Sequence, residues 1–364
     1  MERKHKRRLL TLLTILLFLS ITFIVPATTG VTPHKNTVHD PVIVEDISTV
    51  TTTIQDAIDH AQPNSTIQLP AGTYTEILTI NKPLHLKGEG TTRILLSPTS
   101  TNNGYAIGIN AEGVTLSNLD ITNQGSGLYT TCVKISASNT TIQNCTFFDT
   151  PIGIAIWSSE NTISGCEFSG CDDEGIVLLG TSTTACTKNT IISCNFYENC
   201  DGIELQYAKN NLIISCTFAQ NTHAGIDGIE SNNNNNIISH CEFTNNYGFG
   251  LYLTKSSHNL ITECSFSDDT ITLVQALDNT LLKSQIAHVH LLDDSSLLIE
   301  QCEDITKSNI ISQQSSFEIR TPQSEQISPE KNSHTTVYQT LFLPLLSRFK
   351  ILKSLYEQLR QPRM

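Results

Sequence analysis

Four carboxylates in this chain stand at places that a coiled backbone would bring together. Glu174 and Asp201 each directly precede a glycine, in "EGIVL" and "DGIEL". Glu204 and Asp227 each lie two residues after such a glycine, in "GIEL" and "GIDG". If these segments are neighbouring rungs of a parallel stack, the four acids form an outward column with about 4.8 Å between rungs. Like charges that close repel unless a cation bridges them or one carboxyl keeps its proton. The column is therefore a hard-cation site, for which oxygen ligands suit Ca²⁺, an acid/base pair, or a solvated acidic face. One rung is close to the roughly 5 Å of retaining glycosidases, and two rungs approach the roughly 9 Å of inverting ones. Asp173, His223 and Glu230 flank the column as candidate ligand-binding residues. Tyr252 follows one rung on and Trp157 lies two rungs before Glu204, where either ring could stack on a sugar. Two more imidazoles, His288 and His290 in "HVH", share one strand face.

The scaffold is written in a repeat. Cys145, Cys166, Cys194, Cys216, Cys241 and Cys264 follow one another at 21, 28, 22, 25 and 23 residues. Each has Ile three positions before it and Phe two positions after it, and five have Asn five positions before. The frame extends back to "VTLSNLDI", with Leu119 in the Cys place, and forward to Ser284 and Cys302. A period near 22 residues built of short strands and turns predicts a solenoid. Cys and Phe two apart share a strand face, so Ile, Phe and Cys fill the interior. Asn at a corner can tie one rung to the next through its side-chain amide. The prediction is an all-β, single-stranded right-handed parallel β-helix over residues 43–312. In parallel rungs the cysteines point the same way, which predicts free buried thiols rather than disulfides, with Cys171 and Cys200 in corners more open to oxidation.

Upstream, "TTIQDAIDHA" places Ile54, Ala57, Ile58 and Ala61 on one helical face, an expected N-terminal capping helix over the open edge. The opening "IQDAIDHA…STIQLPAGTYTEILTINKPLHLKGEG", followed by N-x-I-x-x-C-x-F and "GI", resembles the right-handed parallel β-helix (pectin-lyase-like) family. More narrowly it is similar to the NosD-like group with carbohydrate-binding and sugar-hydrolase type repeats. The resemblance implies an exported surface protein with carbohydrate or another surface polymer as partner. It also raises polysaccharide hydrolysis or elimination by the acidic column, and an accessory role in copper delivery to a nitrous-oxide-reducing enzyme. Lyases of this family resemble one another in using Ca²⁺ with an Arg or Lys base, but between Glu45 and Ser312 the only Arg is Arg93. Polygalacturonase-like hydrolases carry NTD, DD, GHG and RIK motifs, of which only "CDDEG" here echoes DD. Copper would call for Cys, Met or His, and Met occurs only twice.

The ends differ from the body. A basic start and the apolar run Leu9–Val25 read as a signal peptide or signal anchor over residues 1–27, followed by a linker over 28–42. Residues 313–337 read as a polar linker, and 338–364 as a basic amphipathic helix that caps the solenoid, docks a partner or lies on a membrane. Leu9–Val25, if uncleaved, would be a second membrane contact. From Glu45 to Ser312, 9 Lys and Arg face 29 Asp and Glu, so the body carries −20 of a chain total of −13. Such a surface repels nucleic acid and polyanions.

Overall fold

The computed structural model describes residues 53–320 apart from 90–93, 101–102, 126 and 230–231, all within the unit Ile43–Met364. The expected signal segment, the linker 28–42, the C-terminal helix and the polar linker beyond residue 320 therefore lie outside the described residues, as does Glu230, whereas the start of that polar linker forms the strand Ser316–Arg320. The described chain is a parallel β-helix.

Three ladders run its length. The first is a twelve-stranded sheet from Ser65–Leu69 to Ser316–Arg320. It layers Ile142, Ile163, Ile191, Ile213, Ile238, Ile261 and Leu281 in register. This ladder continues beyond Ser312, where the sequence frame stops. The second ladder stacks Phe147, Phe168, Phe196, Phe218, Phe243 and Phe266 with ring centroids 4.3–4.9 Å apart. The third layers Ile154, Ile176, Ile203, Ile226, Leu251, Ile271 and Val289. The second and third ladders merge at the ten-residue strand Ser265–Val274.

The corner between the first two ladders explains the cysteine. The residue before each Cys (Asn144, Gly165, Ser193, Ser215, His240 and Glu263) is left-handed, with φ of 53–59°. That reversal turns the next side chain inward into a narrow angle, which a small apolar group fits. All six ladder thiols are buried and free, and each donates to a main-chain carbonyl, as Cys166 Sγ does to Ser164 O at 3.3 Å. Burial holds the thiols of Cys145, Cys194, Cys216 and Cys264 well above the ordinary range, so they stay protonated. Cys171, expected to be open, is buried behind its rung; Cys200 is half-exposed.

Gly202, one of the repeated glycines, sits within a strand and is needed for close packing. A Cβ there would meet Gly225 O at 2.6 Å and the Phe218 ring at 2.7 Å. The phenylalanine stack thus demands the glycine column beside it.

Asn161, Asn189, Asn211, Asn236, Asn259 and Asn279 form the expected amide ladder. Each backbone N–H and each Nδ2 donates to the Oδ1 of the next, as Asn211 does to Asn236 at 2.9 and 3.1 Å. A second amide ladder was not anticipated: Asn199, Asn221 and Asn246, closed by Asp269, which accepts from Asn246 N and Nδ2 at 2.8 and 3.1 Å.

The helix Ile54–His60 packs Ile54 and Ile58 into the core, with Ala57 and Ala61 against it. Thr53 and Asp56 form a capping box, and the Glu76 carboxylate accepts from the N–H groups of Ile54 and Gln55.

Candidate functional site

The outer face of the third ladder brings the predicted acids together. Glu174 pairs in register with Asp201, and Glu204 with Asp227, which in turn pairs with Tyr252. Two outward columns result. One runs Glu174, Asp201, Ala224, Phe249; the other Ala155, Val177, Glu204, Asp227, Tyr252, Thr272, His290.

One expectation fails here. The face points outward, yet it is not solvated: Glu174, Asp201 and Asp227 are only 5%, 5% and 3% exposed. Side chains stacked one rung apart cover each other's flanks, and this face mixes acids with bulk. Ile152, Ala155 and Val177 form a small outward apolar cluster with Leu179 beside the N-terminal end of the acids. At the other end stand three rings: His223 meets Phe249 edge-on at 5.7 Å, and Phe249 lies 4.8 Å from Tyr252. Strand alternation reports direction, whereas burial depends on what the neighbouring rungs carry.

His223 precedes Ala224 in the corner and reaches back across the rungs. Its Nδ1 is 2.9 Å from Asp201 Oδ1 and 3.6 Å from Asp227 Oδ2. Donor atoms of these three residues all lie within 4.8 Å of one another. The imidazole is half-exposed while its two carboxylates are buried. Two acid oxygens remain buried without a hydrogen-bond partner, Asp227 Oδ1 and Glu174 Oε2.

Burial dominates the electrostatics. It pushes Glu174 up to about 10, reinforced by the charges of Glu204 and Asp173. It pushes Asp227 up to about 7, with Asp201 adding repulsion and His223 opposing it. Asp201 also rises through burial, held back by His223. Asp173, half-buried, rises for the same reason. At neutral pH Glu174 therefore carries a proton next to carboxylates that can accept one.

A groove of about 360 Å³ shares Asp173 with this cluster. Its walls include Asn123, Leu128, Asp149, Pro151 and Asp172. The loop from Asn123 to Leu128 was missed in the sequence because it falls outside the repeat frame. The Asn123 amide nevertheless braces it, accepting from Ser100 N and Gly125 N and donating to Thr131 O.

The remaining candidates stand apart. Trp157 is 50% exposed, with Lys134 Nζ 5.8 Å from its ring centre, two rungs from Glu204. His288 and His290 alternate with buried Val289 and face outward, paired with Thr270 and Thr272. No helix among the described residues is long and apolar enough to cross a membrane.

Among solved structures, the fold is similar to that of the PL6 family alginate lyase AlyGC (TM-score 0.51, 14% identity, 72% of this chain and 45% of that one). It is also similar to the Agl-KA catalytic domain (0.52, 12%, 70% and 63%). A third is the catalytic domain of a GH87 α-1,3-glucanase in complex with nigerose (0.50, 12%, 84% and 71%). The chain thus spans about half of the lyase and under two thirds of Agl-KA. No curated protein matches it in sequence. The family profile of NosD, described as a periplasmic copper-binding protein, matches residues 87–286. That is more than half of the 364 residues, and with the ladders it covers, the chain belongs to the NosD family.

Proposed function

We propose that this is an exported protein of the cell surface or periplasm that binds a carbohydrate polymer along the outer face of its third ladder. The observation that carries the reading is the groove that runs into the carboxylate cluster through Asp173. A groove with polar walls and a row of acids at its end suits hydroxyl-rich chains, since carboxylates accept hydrogen bonds from sugar hydroxyls. Tyr252 and exposed Trp157 supply ring faces on the same side. The body charge of −20 favours a neutral or cationic polymer over pectate- or alginate-like ones. The same scaffold serves the alginate lyase and the glucanase named above. Export accords with the family's periplasmic description and with the N-terminal segment.

A glycan array with the full secreted chain tests this. Retention of neutral or amino-sugar polymers is the expected result. Binding to no glycan, or only to polyuronates, would refute it.

A second reading, hydrolysis, is favoured by the register: Glu174 stands one rung from Asp201, and burial, with Glu204 and Asp173 beside it, pushes its carboxyl up to about 10. A carboxylic acid beside a carboxylate is the pairing glycosidases use. Release of reducing ends from a bound polymer, abolished by Glu204→Gln with folding intact, would establish turnover.

The family's description names copper, and the residues can be compared with that ion. Cu(I) favours thiolate and thioether donors. Here all six ladder thiols are buried, burial holds those of Cys145, Cys194, Cys216 and Cys264 in the protonated form, and the two methionines are Met1 and Met364, outside the described residues. The described residues do not fit a Cu(I) carrier, and no copper step is assigned to them.

A further inference from the structure

We propose that Asp201, His223 and Asp227 form a three-ligand site for a borderline divalent cation of the Zn²⁺ type, bound through one imidazole nitrogen and two carboxylate oxygens. The inference stands apart from glycan binding, since the three residues meet whether or not a polymer occupies the groove.

Four observations converge. The first is geometric. An ion with bonds of about 2.1 Å holds neighbouring tetrahedral donors about 3.4 Å apart. His223 Nδ1 stands 2.9 Å from Asp201 Oδ1 and 3.6 Å from Asp227 Oδ2, on either side of that spacing. The second is an orphan. The Asp227 side chain is only 5% exposed, and its Oδ1 is buried with no hydrogen-bond partner. A buried acceptor without a donor costs free energy, and a cation that the Asp227 carboxylate held through both oxygens would satisfy it.

The third is charge. Two carboxylates one rung apart repel in a dry setting, and the basic group they share is a single half-exposed imidazole. A doubly charged ion neutralises both while leaving the imidazole neutral, the form that ligates. The fourth is access. His223 is 43% exposed, so the solvent side of the site is open, as a catalytic or substrate-polarising ion requires. The nitrogen donor sets this apart from an all-oxygen Ca²⁺ site.

The test is isothermal titration of the untagged full-length chain, stripped with EDTA, with Zn²⁺ and then separately with Ca²⁺ and Cu(I). One Zn²⁺ per chain is expected, bound tighter than Ca²⁺ or Cu(I). His223→Gln and Asp227→Asn should each weaken it roughly 100-fold, while a His288→Gln/His290→Gln double variant leaves it unchanged. Asp227→Asn removes a like charge from a buried pair, so the metal-free variant should melt no lower than the parent, which keeps folding out of the result. The proposal is overturned by absence of Zn²⁺ binding or by equal Zn²⁺ affinity in the two variants. A preference for Ca²⁺ or Cu(I), or loss of Zn²⁺ in the His288/His290 variant, would overturn it equally.

Discussion

Two stacks of buried polar side chains run along this β-helix, and they are built on opposite terms. In the Asn161–Asn279 ladder, each Oδ1 that the stack encloses takes two hydrogen bonds from the rung before it. In the Glu174–Asp201–Asp227 cluster, acids are equally buried but two oxygens have no partner and the carboxyls are pushed towards their neutral forms. An amide offers donor and acceptor in one group, so a stack of amides closes on itself. A carboxylate offers only acceptors, so a stack of carboxylates is completed only by protons, cations or ligand hydroxyls. The first stack is structure. The second leaves acceptors that a cation, a proton or a ligand hydroxyl would satisfy. Asn199, Asn221, Asn246 and Asp269 show the boundary between them: there a single acid ends an amide ladder as pure acceptor, and burial still lifts Asp269 to about 6.

The comparison breaks most visibly by exchanging the two chemistries. Asn236→Asp would set a carboxylate against Asn259 Oδ1, which keeps only the Asn236 backbone N–H as donor, and against Ala208 O, which loses its Nδ2 donor. We expect a loss of about 3–5 kcal/mol, read from the urea midpoint. Glu174→Gln, in contrast, replaces a group already neutral at neutral pH and should change stability there by less than about 1 kcal/mol. Equal costs for the two variants would abolish the distinction.

The pH dependence sharpens it. Glu174 is raised from 4.5 to about 10 by burial and by Glu204 and Asp173. Between those values the folded chain keeps a proton that the unfolded chain releases. The stabilisation is therefore complete below about pH 4.5 and is lost as pH rises towards about 10, with a slope of about 1.4 kcal/mol per unit. Glu174→Gln should flatten that slope when midpoints are measured across the window in EDTA. A parent whose stability rose with pH over this range, after subtraction of the variant, would contradict the assignment.

How legible all this was depended on which residues speak through the repeat. Ile, Cys and Phe recur at fixed offsets because every rung imposes the same interior, so the frame alone predicted their layers. The same offsets carried the second amide ladder: Asn199, Asn221, Asn246 and Asp269 each lie five residues after a ladder Cys. That signal was present and went unread because the two earlier rungs put Thr150 and Cys171 there. The register of the acids was also legible. Their burial was not, since it depends on what the neighbouring rungs carry, and rings such as those of His223, Phe249 and Tyr252 pack by shape rather than by period. The Asn123–Leu128 wall lies outside any repeat and had no periodic signal.

The cysteines offer a smaller effect on the structural side of the comparison. All eleven are free, and only Cys200 and Cys302 are not fully buried. A thiol reagent should label no more than these two in the folded chain and all eleven after denaturation, and reductant should leave the melting temperature unchanged. Cys216→Ala should cost about 1–2 kcal/mol, since a small buried group leaves a small cavity.

The smallest expected stability effect belongs to Trp157, and it separates shape from use. Its ring is half-exposed, with Lys134 Nζ above it, so Trp157→Ala should shift stability by no more than about 0.5 kcal/mol. If the outer face of the third ladder holds a sugar chain, the same change removes a stacking platform and should weaken polymer binding roughly tenfold, equivalent to about 1.4 kcal/mol. Tyr252→Phe supplies the control, because it keeps the ring against Phe249 and deletes only the hydroxyl. Affinity lost with Trp157→Ala and kept with Tyr252→Phe would mean that the polymer is gripped by ring faces along the helix axis. Affinity kept in both would confine recognition to the groove and the carboxylates, where hydroxyl groups, not ring faces, must do the recognising.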